Sequence, residues 1–285
     1  MKNKIWPIVI LVIIFIVGLC IFLYPTVSNL LNQHSQSRVI ENYEEQVAVL
    51  NDDDYQDILD DAHEYNSVYV KNMFCYTEDS ETGTELYRKT LDIGGGVMGY
   101  LKIDKIDLRL PIYHGTSDSV LVSGLGHMPM TSLPVGGEGT HAVLSGHSGL
   151  PSAELLTKLD QMEIGDTFYI CVLGEILAYE VKEINTVLPD DMNILSIDEK
   201  EDKVSLVTCT PYGINTHRLV VTGYRIPYED TVDQQDKAEA ELSSPSTVVF
   251  YICVPVLLII ILVILINFRV KNRQRRGVKS DEKSK

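Results

Sequence analysis

The hydrophobic positions of this chain follow three different patterns along its length. Two uncharged apolar runs, Ile5–Tyr24 and Thr247–Phe268, lie near the ends. Each run has about 20 residues, enough to cross roughly 30 Å of hydrocarbon as a helix. Residues 37–70 instead place apolar side chains at helical spacing, with capping residues Asn51–Asp54 at a break, so two amphipathic helices are predicted there.

From residue 94 onward the pattern changes to short apolar or alternating runs separated by turn residues, which is typical of β-strands. The predicted strands are Val97–Ile103, Leu110–Tyr113, His141–Ser145, Asp166–Leu173, Glu175–Leu188, Lys203–Cys209 and Arg218–Tyr224. About 130 residues of this kind suffice for one all-β domain with its own core.

Charges around the apolar runs predict an orientation in the membrane. Lys2 and Lys4 precede the first run, and a basic cluster follows the second, namely Arg269, Lys271, Arg273, Arg275 and Arg276. Because positive residues stay on the cytoplasmic side, both termini are predicted to be cytoplasmic and residues 25–246 extracytoplasmic. No small-x-small cleavage site follows the first run, which is therefore interpreted as an uncleaved anchor.

The predicted extracytoplasmic part is strongly acidic. It holds 14 basic and 38 acidic residues, a net charge of −24. Such a surface repels nucleic acid, so nucleic-acid binding is excluded as a function. A solvated acidic surface accounts for this charge, and recognition of a cationic wall polymer or a lysine-rich protein surface is the alternative.

Three of the five cysteines, Cys75, Cys171 and Cys209, lie outside the apolar runs. They form no C-x-x-C pair and no cluster with metal-ligand spacing, so no metal or cofactor is predicted. Cys171 alternates like a strand residue and is expected in the core. The spacing leaves open a disulfide between Cys75 and either of the other two.

Cys209 and Arg218 flank a predicted hairpin turn. The apolar run from Val204 ends at Cys209, the turn residues Pro211–Gly213 follow, and Arg218 begins the next strand. A hairpin brings its two ends side by side, which places a guanidinium near a sulfur nucleophile or the oxygen of its acyl adduct. A buried apolar cysteine with an unrelated surface arginine is the alternative interpretation.

His147 is the third candidate, because it lies in the loop after the strand His141–Ser145, where catalytic side chains are commonly exposed. A free thiol is mostly protonated at neutral pH, so Cys209 needs a base or a stabilising cation, and His147 can be either. Arg218 stays charged and cannot act as a base, so its expected role is to donate hydrogen bonds to an oxyanion.

The other histidines are expected to be structural. His141 is a strand or core residue, and His217, adjacent to Arg218, points to the opposite strand face. Hydrogen-bonding roles in glycine-rich turn regions are expected for His114 and His127.

Three segments, in this order, resemble the active-site segments of sortases, the cysteine transpeptidases of Gram-positive cell surfaces. They are His141-Ala-Val-Leu-Ser-Gly-His147-Ser-Gly-Leu-Pro151, Ser205-Leu-Val-Thr-Cys209 and His217-Arg218-Leu219. The resemblance covers about residues 95–228 and implies a mainly β, sortase-type closed β-barrel. It assigns His147, Cys209 and Arg218 the roles given above.

The resemblance also implies a reaction. Sortases cleave a Leu-Pro-x-Thr-Gly-like (LPxTG-like) sorting signal between Thr and Gly, hold the acyl fragment as a cysteine thioester and pass it to an amine. Class C members polymerise pilins and typically have a second, C-terminal span, as predicted here. The expected partners are pilins or other surface proteins with such a signal, a lysine amine of a pilin or wall precursor, and the membrane.

Three alternatives remain at this point. A wall-anchoring sortase would use a peptidoglycan amine, and a cysteine peptidase or amidase would release the acyl group to water. A non-enzymatic surface protein would merely keep the fold.

The stretch around residues 70–90 departs from the class C pattern. Class C enzymes commonly carry a lid with an Asp-Pro-aromatic tripeptide over the active-site groove, and this stretch contains no proline. Phe74 and Tyr76 are candidate plugs, with Glu78 or Asp79 facing Arg218.

The predicted organisation has seven segments. They are a cytoplasmic N-terminus (1–4), a transmembrane helix (5–24), a helical lead-in with a possible lid (25–93), the catalytic barrel (94–228), a linker (229–246), a transmembrane helix (247–268) and a basic cytoplasmic tail (269–285).

Overall fold

Eight strands and four α-helices make up the part of the chain that the computed structural model describes, which is residues 5–70, 81–191 and 193–228. The helices are α1 (Ile5–Ala48), α2 (Asp52–Glu64), α3 (Glu81–Lys89) and α4 (Asp118–Ser123). The strands are β1 (Val97–Ile103), β2 (Leu108–His114), β3 (Leu125–His127), β4 (Thr140–Ser145), β5 (Thr167–Val172), β6 (Glu175–Val187), β7 (Asp202–Thr210) and β8 (His217–Ile226). A π-helical turn (Tyr65–Val70) extends α2, and 3₁₀ turns lie at Asp104–Ile106, Leu155–Gln161 and Asn193–Leu195.

The strands close into a barrel in the order β1-β2-β3-β4-β7-β8-β6-β5. Neighbouring strands are antiparallel except for two parallel pairs, β2 with β3 and β4 with β7. Between β4 and β7 the chain builds the β5–β6 hairpin and then returns beside β4 in the same direction. The carboxyl ends of β4 and β7 therefore share one end of the barrel.

Alternate strand residues fill the barrel interior. Leu144, Leu206 and Val221 are fully buried there. Phe168 stacks on Tyr179 with ring centroids 5.6 Å apart. Burial of each such side chain contributes about 1.5–3 kcal/mol, so this core stabilises the strand ends that carry the candidate site.

This architecture confirms the predicted mainly β fold and closed barrel. The seven predicted strands are all present, with small differences at their ends. The sequence pattern missed β3, because three residues are too few for alternation to show. The placement of His114 and His127 in turns is wrong, since each is the last residue of a strand.

Helix α1 contains both the predicted anchor and the first predicted helix of the lead-in. It is one helix of 44 residues with Pro25 inside it. The polar residues after Tyr24 are compatible with a helix, and Ile40 and Tyr43 are buried against the barrel. Among the described residues, one helix is long and apolar enough to cross a membrane, and its apolar window is exposed.

The second helix of the lead-in begins as predicted. Asn51 Oδ1 accepts a hydrogen bond from the Asp54 N–H at 2.8 Å and caps α2. Asn66, in the π-helical turn, binds both backbone groups of Leu133 at 3.1 and 2.7 Å. These contacts hold the lead-in against the barrel.

Several predictions fall outside the described residues. They concern the second apolar run, the linker and the basic tail, all within residues 229–285, and Cys75 with the candidate lid residues, within 71–80.

Candidate active site

Cys209 and Arg218 lie directly opposite each other on neighbouring strands. They are paired across the antiparallel β7–β8 ladder. Side chains of directly paired residues project from the same face of a sheet. Leu206 and Val221 point into the core, so alternation puts Cys209 and Arg218 together on the outer face of the barrel. The predicted hairpin geometry is confirmed.

His147 reaches the same end of the barrel through the parallel β4–β7 pair. The N–H of Gly146, the first residue after β4, donates to the Val207 carbonyl at 3.0 Å. The Thr208 hydroxyl donates to the Gly146 carbonyl at 2.7 Å. His147 and Cys209 are the next residues along these two joined segments. The fold thus brings all three predicted residues to one barrel end.

Gly146 makes this approach possible. A Cβ atom at this position would lie 2.7 Å from Leu125 Cδ2 and 2.9 Å from Leu156 Cδ1, much closer than carbon atoms pack. The absence of a side chain lets the chain leave β4 directly over the core. Any larger residue would have to displace these two leucine side chains or the backbone that carries His147.

The segment from His147 to Glu154, here called the His147 loop, is fixed by the 3₁₀ turn that follows it. The Leu156 N–H donates to the His147 carbonyl at 3.1 Å. The Gly149 N–H donates to Thr157 Oγ1 at 2.9 Å. Since Leu156 is fully buried in the core, these bonds tie the loop to a rigid part of the barrel.

The candidate side chains are accessible from outside the barrel, because His147, Cys209 and Arg218 are each half-buried. The turn between β7 and β8 exposes Tyr212 and Ile214, and a Cβ on Gly149 would lie 3.1 Å from the Tyr212 ring. This turn therefore contacts the His147 loop, and the two segments border the site.

The Arg218 guanidinium binds only neutral oxygens among the described residues. Its Nη1 donates to the carbonyls of Asn215 at 3.4 Å and His217 at 3.2 Å. The ion pairs of the described residues do not include it. Its positive charge and remaining N–H groups are thus free to act on an anionic oxygen near Cys209.

An outer apolar cluster lies beside the site on the same barrel face. Its buried members are Val143, Val207 and Val220, the last two being one alternation away from Cys209 and Arg218. Four partly buried side chains cover it, Met128, Val187, Ile194 and Leu195. The site therefore has an apolar surface next to its polar groups.

Hydrogen bonds confirm a structural role for His141. Its Nε2 lies 2.7 Å from Ser205 Oγ and its Nδ1 lies 3.0 Å from the Ser196 carbonyl. Burial lowers its pKa. The bonds link β4 and β7 to the segment before β7.

The histidines near β3 and the turn are structural as well. His127 is fully buried between the Tyr87 hydroxyl at 2.9 Å and the Ser132 carbonyl at 2.8 Å, and burial lowers its pKa to about 4. His114 Nε2 lies 2.8 Å from the Thr90 carbonyl. His217 Nδ1 lies 3.0 Å from the neighbouring Thr216 hydroxyl.

The described cysteines Cys20, Cys171 and Cys209 are free thiols. Cys171 is buried in the core as predicted, and burial raises its pKa to about 11, so it is a poor nucleophile. Within residues 5–70, 81–191 and 193–228, no group of three or more His, Cys, Asp or Glu side chains is arranged to hold a metal ion.

Three polar residues near the site were not predicted from the sequence, one on β7 and two on α1. Thr208 reads as one more strand residue, yet it joins β7 to Gly146. Asn29 and Asn32, on α1, hydrogen-bond to the His147 loop. Helical spacing shows which side of a helix is apolar, but it does not show what the polar side touches.

Comparisons with known proteins agree with this fold. The Sortase domain family profile matches residues 101–226. Sortase C1 of Streptococcus agalactiae is 42% identical, with a TM-score of 0.64 over 67% of this chain and 100% of that one. A sortase C of Streptococcus pneumoniae, described in terms of its catalysis and pilin substrate specificity, is 39% identical, with a TM-score of 0.59 over 67% of this chain and 97% of that one.

A curated relative, sortase D of Bacillus subtilis strain 168, is 29% identical over 135 residues. The matched region is 46% of this chain and 65% of that protein. Identity above 35% over the full length of solved class C structures, with the same barrel, establishes the relationship. The chain therefore belongs to the sortase family, in its class C.

Proposed function

We propose that this chain is a membrane-anchored cysteine transpeptidase that joins proteins bearing an LPxTG-like sorting signal to a lysine amine of a pilin subunit. One observation carries the proposal. Cys209 is paired with Arg218 across β7–β8, and the Thr208–Gly146 hydrogen bond joins the residues that directly precede Cys209 and His147. A nucleophile, a proton carrier and an anion-stabilising donor thus meet at one accessible barrel end.

In the first half-reaction, Cys209 Sγ attacks the carbonyl carbon of the signal's threonine. The thiol proton goes to His147, and the carbonyl oxygen becomes an oxyanion that accepts hydrogen bonds from Arg218. The Thr–Gly bond then breaks, and His147 gives its proton to the departing glycine amine. The products are a thioester on Cys209 and the released C-terminal fragment.

In the second half-reaction, a lysine amine attacks the thioester carbonyl. His147 accepts a proton from the amine, the C–S bond breaks and Cys209 recovers its proton. One amide bond is exchanged for another, so the cycle needs no energy source. Water in place of the amine would give hydrolysis, the outcome expected of a peptidase.

The surroundings of Cys209 support a peptide substrate. The outer apolar cluster offers contacts to apolar side chains of an extended peptide, and the Arg218 charge favours its polarised carbonyl. The likeness to class C sortases, one of them described in terms of pilin substrate specificity, supports a pilin as the partner.

The location proposed is the cell membrane with the barrel outside. Helix α1 has 44 residues and is about 66 Å long at 1.5 Å per residue, more than twice the hydrocarbon thickness of about 30 Å. It can therefore span the bilayer and still lie along the barrel. The second span rests on residues 247–268 of the sequence, and the cytoplasmic position of both termini rests on Lys2, Lys4 and the basic cluster within 269–276.

Mass spectrometry tests the proposal. The full-length protein in lipid nanodiscs is incubated with an LPxTG-like peptide and a lysine-containing pilin peptide. The expected products are a Cys209 acyl-enzyme and a peptide joined through the lysine amine. A glycine-based wall-precursor amine, added in competition, tests the wall-anchoring alternative. Hydrolysed peptide as the only product would support a peptidase, and no Cys209 adduct would refute the mechanism.

A further inference from the structure

Helix α1 contacts the barrel along much of its length beyond the apolar run. Gln36 Nε2 donates to the Ser123 carbonyl at 3.2 Å. The Tyr43 hydroxyl donates to the Met98 carbonyl at 2.9 Å and accepts from the Leu173 N–H at 2.8 Å. The helix is therefore fixed relative to the strands and can hold other parts of the barrel in place.

Two asparagines of α1 bind the His147 loop. Asn29 Oδ1 accepts a hydrogen bond from the Glu154 N–H at 2.8 Å. Asn32 Nδ2 donates to the Ser152 carbonyl at 2.6 Å. One asparagine acts as an acceptor and the other as a donor, so the pair satisfies two backbone groups of opposite polarity in the same short loop.

The bound segment can transmit its position to His147. A backbone bridge joins Leu150 to Ala153 within the loop. The Glu154 carboxylate pairs with Lys158 Nζ at 2.8 Å, and the Leu156 N–H holds the His147 carbonyl. A shift of the loop at its α1 contacts would therefore move the backbone of His147.

We propose that Asn29 and Asn32 are positioning residues, through which the membrane helix sets the place of His147 relative to Cys209. The inference rests on the proposed role of His147. A displacement of about 1 Å at a reacting group can cost about a hundredfold in rate. Two hydrogen bonds from a long, well-packed helix are a means of preventing such a displacement.

The same contacts lie close to the predicted membrane span. Asn29 and Asn32 come five and eight residues after Tyr24, or about 8 and 12 Å along the helix axis. The Tyr43 contacts lie further along α1, at Met98 near the start of β1 and at Leu173 just after β5. The part of α1 nearest the predicted span is thus the part that contacts the His147 loop, which would keep the candidate site near a membrane-held substrate.

The opposite polarity of the two bonds allows a sharp test in the full-length protein in nanodiscs. Asn29→Asp keeps the acceptor for the Glu154 N–H, so it should retain kcat within about threefold. Asn32→Asp places a carboxylate oxygen against the Ser152 carbonyl, so it should lower kcat at least about tenfold while the KM for the sorting peptide changes less than about twofold. Asn29→Leu, which removes the acceptor, should resemble Asn32→Asp.

Two controls separate positioning from loss of fold. Gln36→Leu removes a hydrogen bond between α1 and α4 without touching the His147 loop, so this variant should lose a similar amount of thermal stability and keep its kcat. Gln33→Leu changes an exposed residue of the same helix and should have no effect.

The outcomes also separate this inference from the proposed function. If His147→Ala abolishes transfer while Asn32→Asp keeps full kcat, the positioning role is wrong and the mechanism stands. Equal losses in Asn29→Asp and Asn32→Asp would also contradict it, since they would reflect a general loss of helix packing. Unchanged activity in His147→Ala would overturn the proposed function itself.

Discussion

The Thr208 hydroxyl donates a hydrogen bond to the Gly146 carbonyl at 2.7 Å, so the residue before Cys209 is joined to the residue before His147. Thr208 is almost fully buried, and its partner directly follows β4, the parallel neighbour of β7. This hydrogen bond therefore links the backbone next to the proposed nucleophile with the backbone next to the proposed proton carrier.

Thr208→Val tests that connection. Valine has nearly the same shape but cannot donate, so the Gly146 carbonyl loses its partner, at a cost of about 1–3 kcal/mol. We expect lower thermal stability and at least a several-fold fall in kcat for transfer. Thr222→Val, which alters a buried hydroxyl bound to Ser205 away from the loop, serves as the control. Equal kcat losses in the two variants would contradict the role of Thr208.

Substitutions of the three proposed catalytic residues should reduce activity to different extents. Cys209→Ala should abolish the acyl-enzyme, because all bond making passes through its sulfur. His147→Ala and Arg218→Ala should each reduce turnover at least about a hundredfold, the usual scale for a general acid–base group or an oxyanion donor. His217→Ala, next to Arg218 but bound to Thr216, should change turnover less than about threefold. Cleavage by the Cys209→Ala protein would refute the assignment.

The burial of His127 should make the stability of the fold sensitive to acid. In the unfolded chain its imidazole takes up a proton near pH 6.5, whereas burial lowers the pKa in the folded protein to about 4. Between these values the unfolded state binds more protons, so stability is lost as the pH falls from about 6.5 to about 4, by up to about 3 kcal/mol. Tyr87 and His114 are the titratable groups that face it.

The measurement is urea unfolding of the solubilised protein at several pH values. His127→Gln, which lacks a titrating ring, should weaken the dependence, while His34→Gln on the exposed side of α1 should leave it unchanged. An equal pH dependence in His127→Gln would exclude His127 as the cause.

The charge pattern predicts the topology. Since a basic cluster follows the second apolar run, a C-terminal epitope tag should resist protease added to intact protoplasts, while the barrel is digested. The tag should become sensitive once the membrane is permeabilised, which controls for intrinsic resistance. Loss of the tag in intact protoplasts would show that the C-terminus is outside the cell, contrary to the prediction.

The absence of proline from residues 73–83 predicts that this segment covers the active-site groove only weakly. Proline lowers the entropy lost when a loop docks, and an exposed ion pair adds under about 1 kcal/mol, so residues 73–83 should not hold a groove shut. A bulky thiol reagent should modify Cys209 in the resting protein, and deletion of 73–83 should raise that rate less than about tenfold. A rise of several hundredfold would identify an effective lid. An unreactive Cys209 released only by reductant would indicate a disulfide with Cys75.

The sequence by itself determined the parts of this protein whose signals are local. Alternation and turn residues located seven strands, because the side-chain period of a strand appears within a few residues. The resemblance of three short segments to sortases predicted His147, Cys209 and Arg218 as the catalytic residues. The hairpin between the last two follows from two apolar runs separated by Pro211–Gly213.

Only the tertiary structure decided how these pieces meet. The parallel β4–β7 pair joins segments about 60 residues apart, so no local period shows that Gly146 lies against Thr208. The continuity of α1 through Pro25 and the contacts of Asn29 and Asn32 with the His147 loop depend on packing between distant segments. Such contacts form when distant segments pack together around one core. The pattern of neighbouring residues in the sequence does not show which distant segments will meet.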